Sequence, residues 1–211
     1  MATRSGYART VRLWKRGADP LTAPMIFETG SETIGVSSHL DRTAESDRLW
    51  FIEKPAYFEQ IVRIGDRSGP KVEIDLPRDA WWNGFDDWLA VKPRKLWTVG
   101  GTTYAADALI GISLSSFMAG ERGFVTLFEP GERRSLQSFF WNNGELIISY
   151  LVNLVLSRRS RRAGRNGGAE PWTPCPAAGL LTFGHSMRNI TRPMERSSFR
   201  LIDYAAAAFP T

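Results

Sequence analysis

The chain has 211 residues, a formal net charge of +5 and one cysteine, Cys175. A single cysteine excludes an internal disulfide, so folding does not depend on an oxidising compartment. Hydrophobic content of 43% and aromatic content of 12% suit a globular β protein rather than a membrane or disordered chain.

The start, MATRSGYARTVRLWKRG, has no apolar core and does not read as a secretory signal. The most apolar run, Leu146 to Leu156, is broken by Ser149, Tyr150 and Asn153. It falls short of the roughly 20 apolar residues that a membrane helix needs. A cytoplasmic location and no membrane partner are the expectation. The charge is unevenly placed. Residues 1–156 carry 18 Lys and Arg against 19 Asp and Glu, whereas residues 157–211 carry 9 Arg against 3 acidic residues. The basic balance therefore belongs to the tail, and the body offers no electrostatic case for nucleic acid.

In chain order, Thr10 to Lys15 and Met25 to Phe27 read as two strands, separated by the breakers Gly17 and Pro20. A second unit spans about Thr33 to Pro77, with β-prone runs at 34–37, 48–52, 58–64 and 71–76. Val72, Ile74 and Leu76 alternate with Lys71, Glu73 and Asp75, the mark of a half-exposed strand. A third unit spans Asp86 to Pro130. Its runs are Trp88 to Val91, Leu96 to Val99, Ala108 to Ile112 and Phe124 to Phe128. Gly100-Gly101 supplies a turn, and Ser115 to Gly120 reads as one helical turn stopped by glycine. A fourth unit begins near Ser135, where Asn142-Asn143-Gly144 lies between two apolar runs as a strong hairpin signal. Four short strands joined by tight turns form an antiparallel meander, the repeating unit of a propeller blade. The units start roughly 50 residues apart, within the range of such repeats. The expected fold is all-β: four-stranded meanders forming part of a propeller over residues 1–156, about two and a half blades, followed by an irregular tail over 157–211.

Three segments carry a resemblance: DWLAVKPRKLWTVGG, TYAADALIGISLSSFMAGERGFVTLFEP and SLQSFFWNNGELIISYL, with SGYARTVRLWKRG and VSSHLDRT upstream. In this order they resemble the propeller domain of the prolyl oligopeptidase family of serine peptidases, over roughly residues 5–156. The resemblance implies a seven-bladed propeller paired, in the family, with an α/β-hydrolase domain that carries the Ser, Asp and His of catalysis. It implies that Met1 lies inside a longer ancestral reading frame. It also implies a gating role for the propeller toward short peptides. The implied partners are that hydrolase domain, or short peptides.

The resemblance ends near Leu156, within a blade. Beyond it, Ser157 to Gly168 is basic and turn-rich, and Pro171, Pro174 and Pro176 follow. Arginine without lysine, among Ala, Gly, Pro and Ser, is the composition of GC-rich DNA read out of frame. The tail is therefore expected to be a frameshifted continuation, and Arg158 to Arg162 a solvated, disordered run rather than a phosphate grip.

No catalytic, cofactor-binding or metal-binding residue is expected. Gly184-His185-Ser186-Met187-Arg188 begins like a nucleophile elbow but ends in Arg, and no apolar strand precedes it. Gly164-Arg165-Asn166-Gly167-Gly168 holds Arg165 where a nucleophilic serine would stand. His39 reads as a strand histidine. One cysteine and two distant histidines, His39 and His185, do not make a zinc site. Asp86-Asp87 and the pair Asp75 and Asp79 read as solvated acids at strand ends. Trp88, Trp97 and Trp141 read as packing between blades, with Trp81-Trp82 placed in a loop. The expected function is the substrate-gating part of a peptidase, inactive alone. The alternative is a non-catalytic binding module that pairs with a separately encoded hydrolase domain. Unpaired blade faces lead to an expectation of marginal stability and aggregation.

Overall fold

The computed structural model describes residues 2–162, 171–174 and 199–204. The described strands are β1 (Thr10–Lys15), β2 (Met25–Glu28), β3 (Gly35–Asp41), β4 (Arg48–Ala56), β5 (Glu59–Gly65), β6 (Val72–Glu73), β7 (Trp81–Phe85), β8 (Trp88–Lys92), β9 (Trp97–Val99), β10 (Thr102–Tyr104), β11 (Leu109–Ser113), β12 (Val125–Phe128), β13 (Arg134–Asn142), β14 (Glu145–Val152), β15 (Val155–Arg162), β16 (Thr173–Pro174) and β17 (Phe199–Tyr204). A short α-helix, α1 (Leu114–Met118), joins β11 to β12, and Gly120 just beyond it takes a φ of +100°. Every strand pairing is antiparallel.

Three sheets have four strands each, ordered β3-β4-β5-β6, β7-β8-β11-β12 and β13-β14-β15-β16. A three-stranded sheet, β17-β1-β2, precedes them. The sheets pack face to face in chain order. Val11 of the first sheet meets Val36, Leu49 and Phe51 of the second. Trp50 and Val62 of the second join Leu89, Val91, Ile110 and Ile112 of the third. Ala90, Leu109 and Phe128 on the far side of the third join Leu136, Leu146, Ile148 and Tyr150 of the fourth. Side chains alternate across a strand, so a sheet covered on both faces needs apolar residues at every position. This explains why Leu89-Ala90-Val91 and Leu109-Ile110 are buried without a polar interruption. Each buried Leu, Val or Ile among them contributes about 1.5–3 kcal/mol.

Two expectations change. The third sheet does not contain the run Leu96 to Val99. That segment folds onto residues 102–104 as a separate two-stranded hairpin, β9-β10, through the Gly100-Gly101 turn. The sheet's first strand is instead β7, which holds Trp81 and Trp82 and pairs with β8 through a turn at Asp86, whose φ is +50°. Pro93 closes β8 and has no N–H for a further ladder bond, which favours the excursion. The second change concerns Arg158 to Arg162. They form most of β15, paired with β14 from Val152↔Val155 to Glu145↔Arg162. Asn153 and Leu154 close that hairpin with φ of +49° and +67°. The expected boundary at residue 156 therefore falls inside a strand. The apolar strand β14 has a second edge to satisfy, and β15 fills it; Arg159 lies over Tyr150 of β14 at 5.8 Å, and Arg161 lies over Trp172, just before β16, at 5.7 Å. The backbone of β17 pairs with β1 along its whole length.

Because successive strands alternate in direction, the turns divide between two ends of the stack. One end gathers the β3–β4, β7–β8 and β13–β14 turns, at residues 42–47, 86–87 and 143–144. The opposite end gathers the β4–β5 turn at Tyr57-Phe58, the segment Pro93 to Leu96 and the β14–β15 turn at Asn153-Leu154.

Candidate functional site

At the first end, Asp41 is the centre of a buried polar network. Its Oδ1 accepts from the Thr43 backbone N–H at 2.9 Å and the Thr43 hydroxyl at 2.6 Å. Its Oδ2 accepts from Arg48 Nε at 2.7 Å and from the Trp50 indole N–H at 3.0 Å. Burial raises the pKa of Asp41, but the bonds from Thr43, Trp50 and Arg48 outweigh it and hold the carboxyl below its ordinary value. Arg48 also donates to the Asp86 carbonyl, and the Asp86 N–H donates to Thr43 Oγ1 at 2.7 Å. The network thus ties the second sheet to the third.

Asp86 takes part through its backbone, whereas the Asp87 carboxylate is not merely solvated. Asp87 accepts from Ser113 Oγ at 2.6 Å, the Ser115 N–H at 2.8 Å and Ser115 Oγ at 2.9 Å, fastening the start of α1. Ser113 itself caps that helix by accepting from the Ser116 N–H. Asp75 and Asp79 do not form a pair. They reach separate cations, Arg122 at 3.5 Å and Lys95 at 3.4 Å.

His39 is exposed at its edge and stacks on Trp50, centroids 6.0 Å apart, with Trp82 at 6.4 Å. Burial lowers its pKa; Asp41 opposes this and Arg48 adds to it. Among the described residues no hydrogen bond joins His39 to a hydroxyl or a carboxylate, so it has neither the nucleophile nor the orienting acid that base catalysis uses. His185, Ser186, Arg165 and Cys175 lie outside the described residues. Among the described residues no cluster of three or more His, Cys, Asp or Glu side chains suits a metal ion, and no helix is long and apolar enough to cross a membrane.

The tryptophans divide as packing demands. Trp50 and Trp82 stack at 4.6 Å, Trp141 stacks on Phe85 at 5.3 Å, and Trp88 is buried. Trp97 packs edge-on to Phe124 at 5.3 Å. Trp81 stays exposed.

The opposite end has another character. Tyr57 and Phe58 are 80% and 66% exposed at the β4–β5 tip, and Leu96 is 74% exposed. Beside them a cleft of about 280 Å³ is lined by Glu59, Pro77, Arg78, Asp79, Pro93, Lys95, Leu96 and Trp97. Arg94 lies over the Phe58 ring at 5.2 Å and joins the two tips. A second cleft, about 420 Å³, lies at the same end between Gly131 to Ser135 and the Leu151 to Leu154 turn. Sequence reasoning placed Phe58 and Leu96 inside strands. The available signal was the pair Tyr57-Phe58 at the midpoint between two apolar runs, where turn residues are normally polar.

The structure is similar to that of a post-proline cleaving enzyme from Rickettsia typhi, with a TM-score of 0.73 and 18% sequence identity over 82% of this chain and 26% of that chain. It is also similar to a structure from an analysis of two prolyl endopeptidases, with a TM-score of 0.53 and 18% identity over 82% of this chain and 24% of the other. The chain spans about a quarter of the length of each, and what is shared is the fold. No protein-family model and no curated protein sequence matches the chain.

Proposed function

We propose that these residues are consecutive blades from the propeller of a prolyl oligopeptidase-like serine peptidase, the part that gates short peptides on their way to a catalytic domain. The observation that carries the reading is the serial packing of three four-stranded antiparallel sheets, each covered on one face by its predecessor, in a chain whose fold resembles two peptidases of that kind. The sequence segments that resemble the family, in their order along the chain, support it independently. Among the described residues no hydroxyl is hydrogen-bonded to a histidine, and the chain by itself is proposed to lack peptidase activity. The proposed tail is a frameshifted continuation.

The test is direct. Purified chain is incubated with a proline-containing fluorogenic peptide, and no cleavage is expected. Cleavage that disappears in Ser186→Ala overturns the reading. Shifting the nucleotide frame after codon 156 is expected to restore propeller-like strands; no such restoration in either shifted frame removes the frameshift proposal.

A second reading, a non-catalytic module that pairs with a separately encoded hydrolase domain, draws support from the exposed apolar side chains at one end of the stack. Co-purification of such a domain with this chain favours that reading over an orphaned fragment.

A further inference from the structure

We infer that Asn143-Gly144, at the tip between β13 and β14, is a self-modification site: the fold leaves this asparagine free to convert into aspartate and isoaspartate, and shields a second Asn-Gly pair, Asn83-Gly84, from the same reaction. An asparagine before glycine is especially prone to it, because no Cβ crowds the attacking nitrogen. The Gly144 amide nitrogen, after losing its proton to hydroxide, attacks Asn143 Cγ. The N–Cγ bond forms, the Cγ–Nδ2 bond breaks, and ammonia leaves with a proton taken from water. Water then opens the five-membered imide at either carbonyl. Opening at Cγ gives aspartate. Opening at the Asn143 main-chain carbonyl gives isoaspartate, whose backbone runs through Cβ and Cγ. Water is consumed, ammonia is released, and nothing is oxidised or reduced.

Ring closure rotates the asparagine backbone, so the surroundings of each pair decide its rate. Asn143 is exposed with a φ of +48°, and Gly144 has a φ of +78° with nothing within 4 Å of where a Cβ would stand. The two residues lie between the cross-strand partners Asn142 and Glu145, so rotation there disturbs a tip and no ladder pair. Asn83 and Gly84 are half-buried within β7, opposite Ala90 and Leu89 of β8. A Cβ at Gly84 would stand 2.8 Å from the Trp50 ring. Rotation there requires β7 to open from β8 and from Trp50, and such local opening is rare in a paired, packed strand.

The two products differ in what the hairpin tolerates. Asp-Gly suits a two-residue turn as Asn-Gly does. Isoaspartate adds a backbone methylene, and loop length fixes the register of a hairpin. The register of β13 on β14 keeps Leu136, Leu146, Ile148 and Tyr150 in the core against the third sheet. Isoaspartate at position 143 therefore loosens the fourth sheet, whereas aspartate does not.

The experiment keeps the full chain in mildly alkaline buffer at physiological temperature. Its peptides are mapped by mass spectrometry, with fragmentation that separates isoaspartate from aspartate. Asn143 is expected to convert about tenfold or more faster than Asn83. In guanidinium chloride, where the fold is lost, the two are expected to convert at similar rates. The third pair, Asn166-Gly167, lies outside the described residues and is followed as a separate peptide. Equal rates at Asn143 and Asn83 in the folded chain, or an Asn143 that reacts only in guanidinium chloride, overturn the proposal. A freshly prepared Asn143→Asp chain is expected to keep the parent urea midpoint, and the isoaspartate fraction of aged chain to unfold at lower urea. An unchanged midpoint in that fraction, or an equal loss in Asn143→Asp, overturns the assignment to the lengthened backbone.

Discussion

The two ends of the sheet stack use their turns for opposite purposes. At one end the turns lock neighbouring sheets together. Asp41, Thr43 and Arg48 reach from the β3–β4 turn to the Asp86 backbone, Asp87 fastens α1, and Phe85 stacks on Trp141 of the next sheet. At the other end the tips place Tyr57, Phe58 and Leu96 in water. The contrast teaches that the two ends of one sheet can differ in how far their turns hold the fold, because strand reversal sends alternate turns to alternate ends. A residue that holds the sheets costs stability when changed, whereas a residue at the exposed tips costs almost none.

The largest expected effect is at Asp41. Its side chain is 6% exposed, and that of its partner Arg48 16%. Asp41→Ala strands a buried guanidinium and a buried indole N–H, and a loss of about 3 kcal/mol is expected in urea denaturation. A loss under about 1 kcal/mol would mean that the network does not tie the sheets.

Gly84→Ala comes next. A Cβ at Gly84 would stand 2.8 Å from the Trp50 ring, so the indole or β7 must move. A cost of about 1–3 kcal/mol is expected, because a packed core resists added volume. The Trp50–Trp82 stack makes near-ultraviolet circular dichroism a second readout.

A smaller effect comes from His39, whose pKa in the folded chain lies below its ordinary 6.5. The unfolded chain then binds more protons in the window just below pH 6.5. The contribution is complete above that pH and is lost as pH falls toward the folded value. The urea midpoint is expected to fall more steeply between pH 7 and 5 in the parent chain than in His39→Gln. Equal slopes would remove His39 from the interface. Asp41 titrates in a separate window, below its ordinary 3.8, since its folded pKa is also lowered.

The smallest stability effect is expected at the exposed tips. Tyr57→Ser and Leu96→Ser should change the unfolding free energy by no more than about 0.5 kcal/mol each. A large loss at either position would show that these side chains hold the fold, and would end the division between the two ends.

Much of the third and fourth sheets was legible because local signals agree there. The Asn143-Gly144 turn, with φ of +48° and +78°, needs residues that tolerate the left-handed region, and the sequence supplies both. Trp88 to Val91 and Leu109 to Ile112 are apolar at every position, as a strand covered on both faces requires. What misled was membership. Leu96 to Val99 is as β-prone as its neighbours, yet it pairs only with the hairpin strand beyond Gly101. Trp81 and Trp82 were expected in a loop, yet they open strand β7 together with Asn83 and Gly84. Gly84 sits mid-strand, where a bare Cα gives room to Trp50. The arginines of β15 read as a solvated run because charge outweighs alternation in a sequence, whereas the unpaired edge of β14 decides their pairing in the fold.

Of the candidate site, the sequence offered few catalytic combinations to weigh, with two histidines and one cysteine. It did not indicate Asp41, whose acceptor role depends on a turn partner, a strand partner and an indole brought together from three positions. Amino-acid order alone determined the apolar faces of the central strands and the turns marked by Gly100-Gly101 and Asn143-Gly144, because those features depend on residues within a few positions of one another. The tertiary structure alone decided which strands share a sheet, which acids became ties between sheets and which aromatic residues stayed in water. Those outcomes depend on what covers each face, and residues distant in the chain supply the cover.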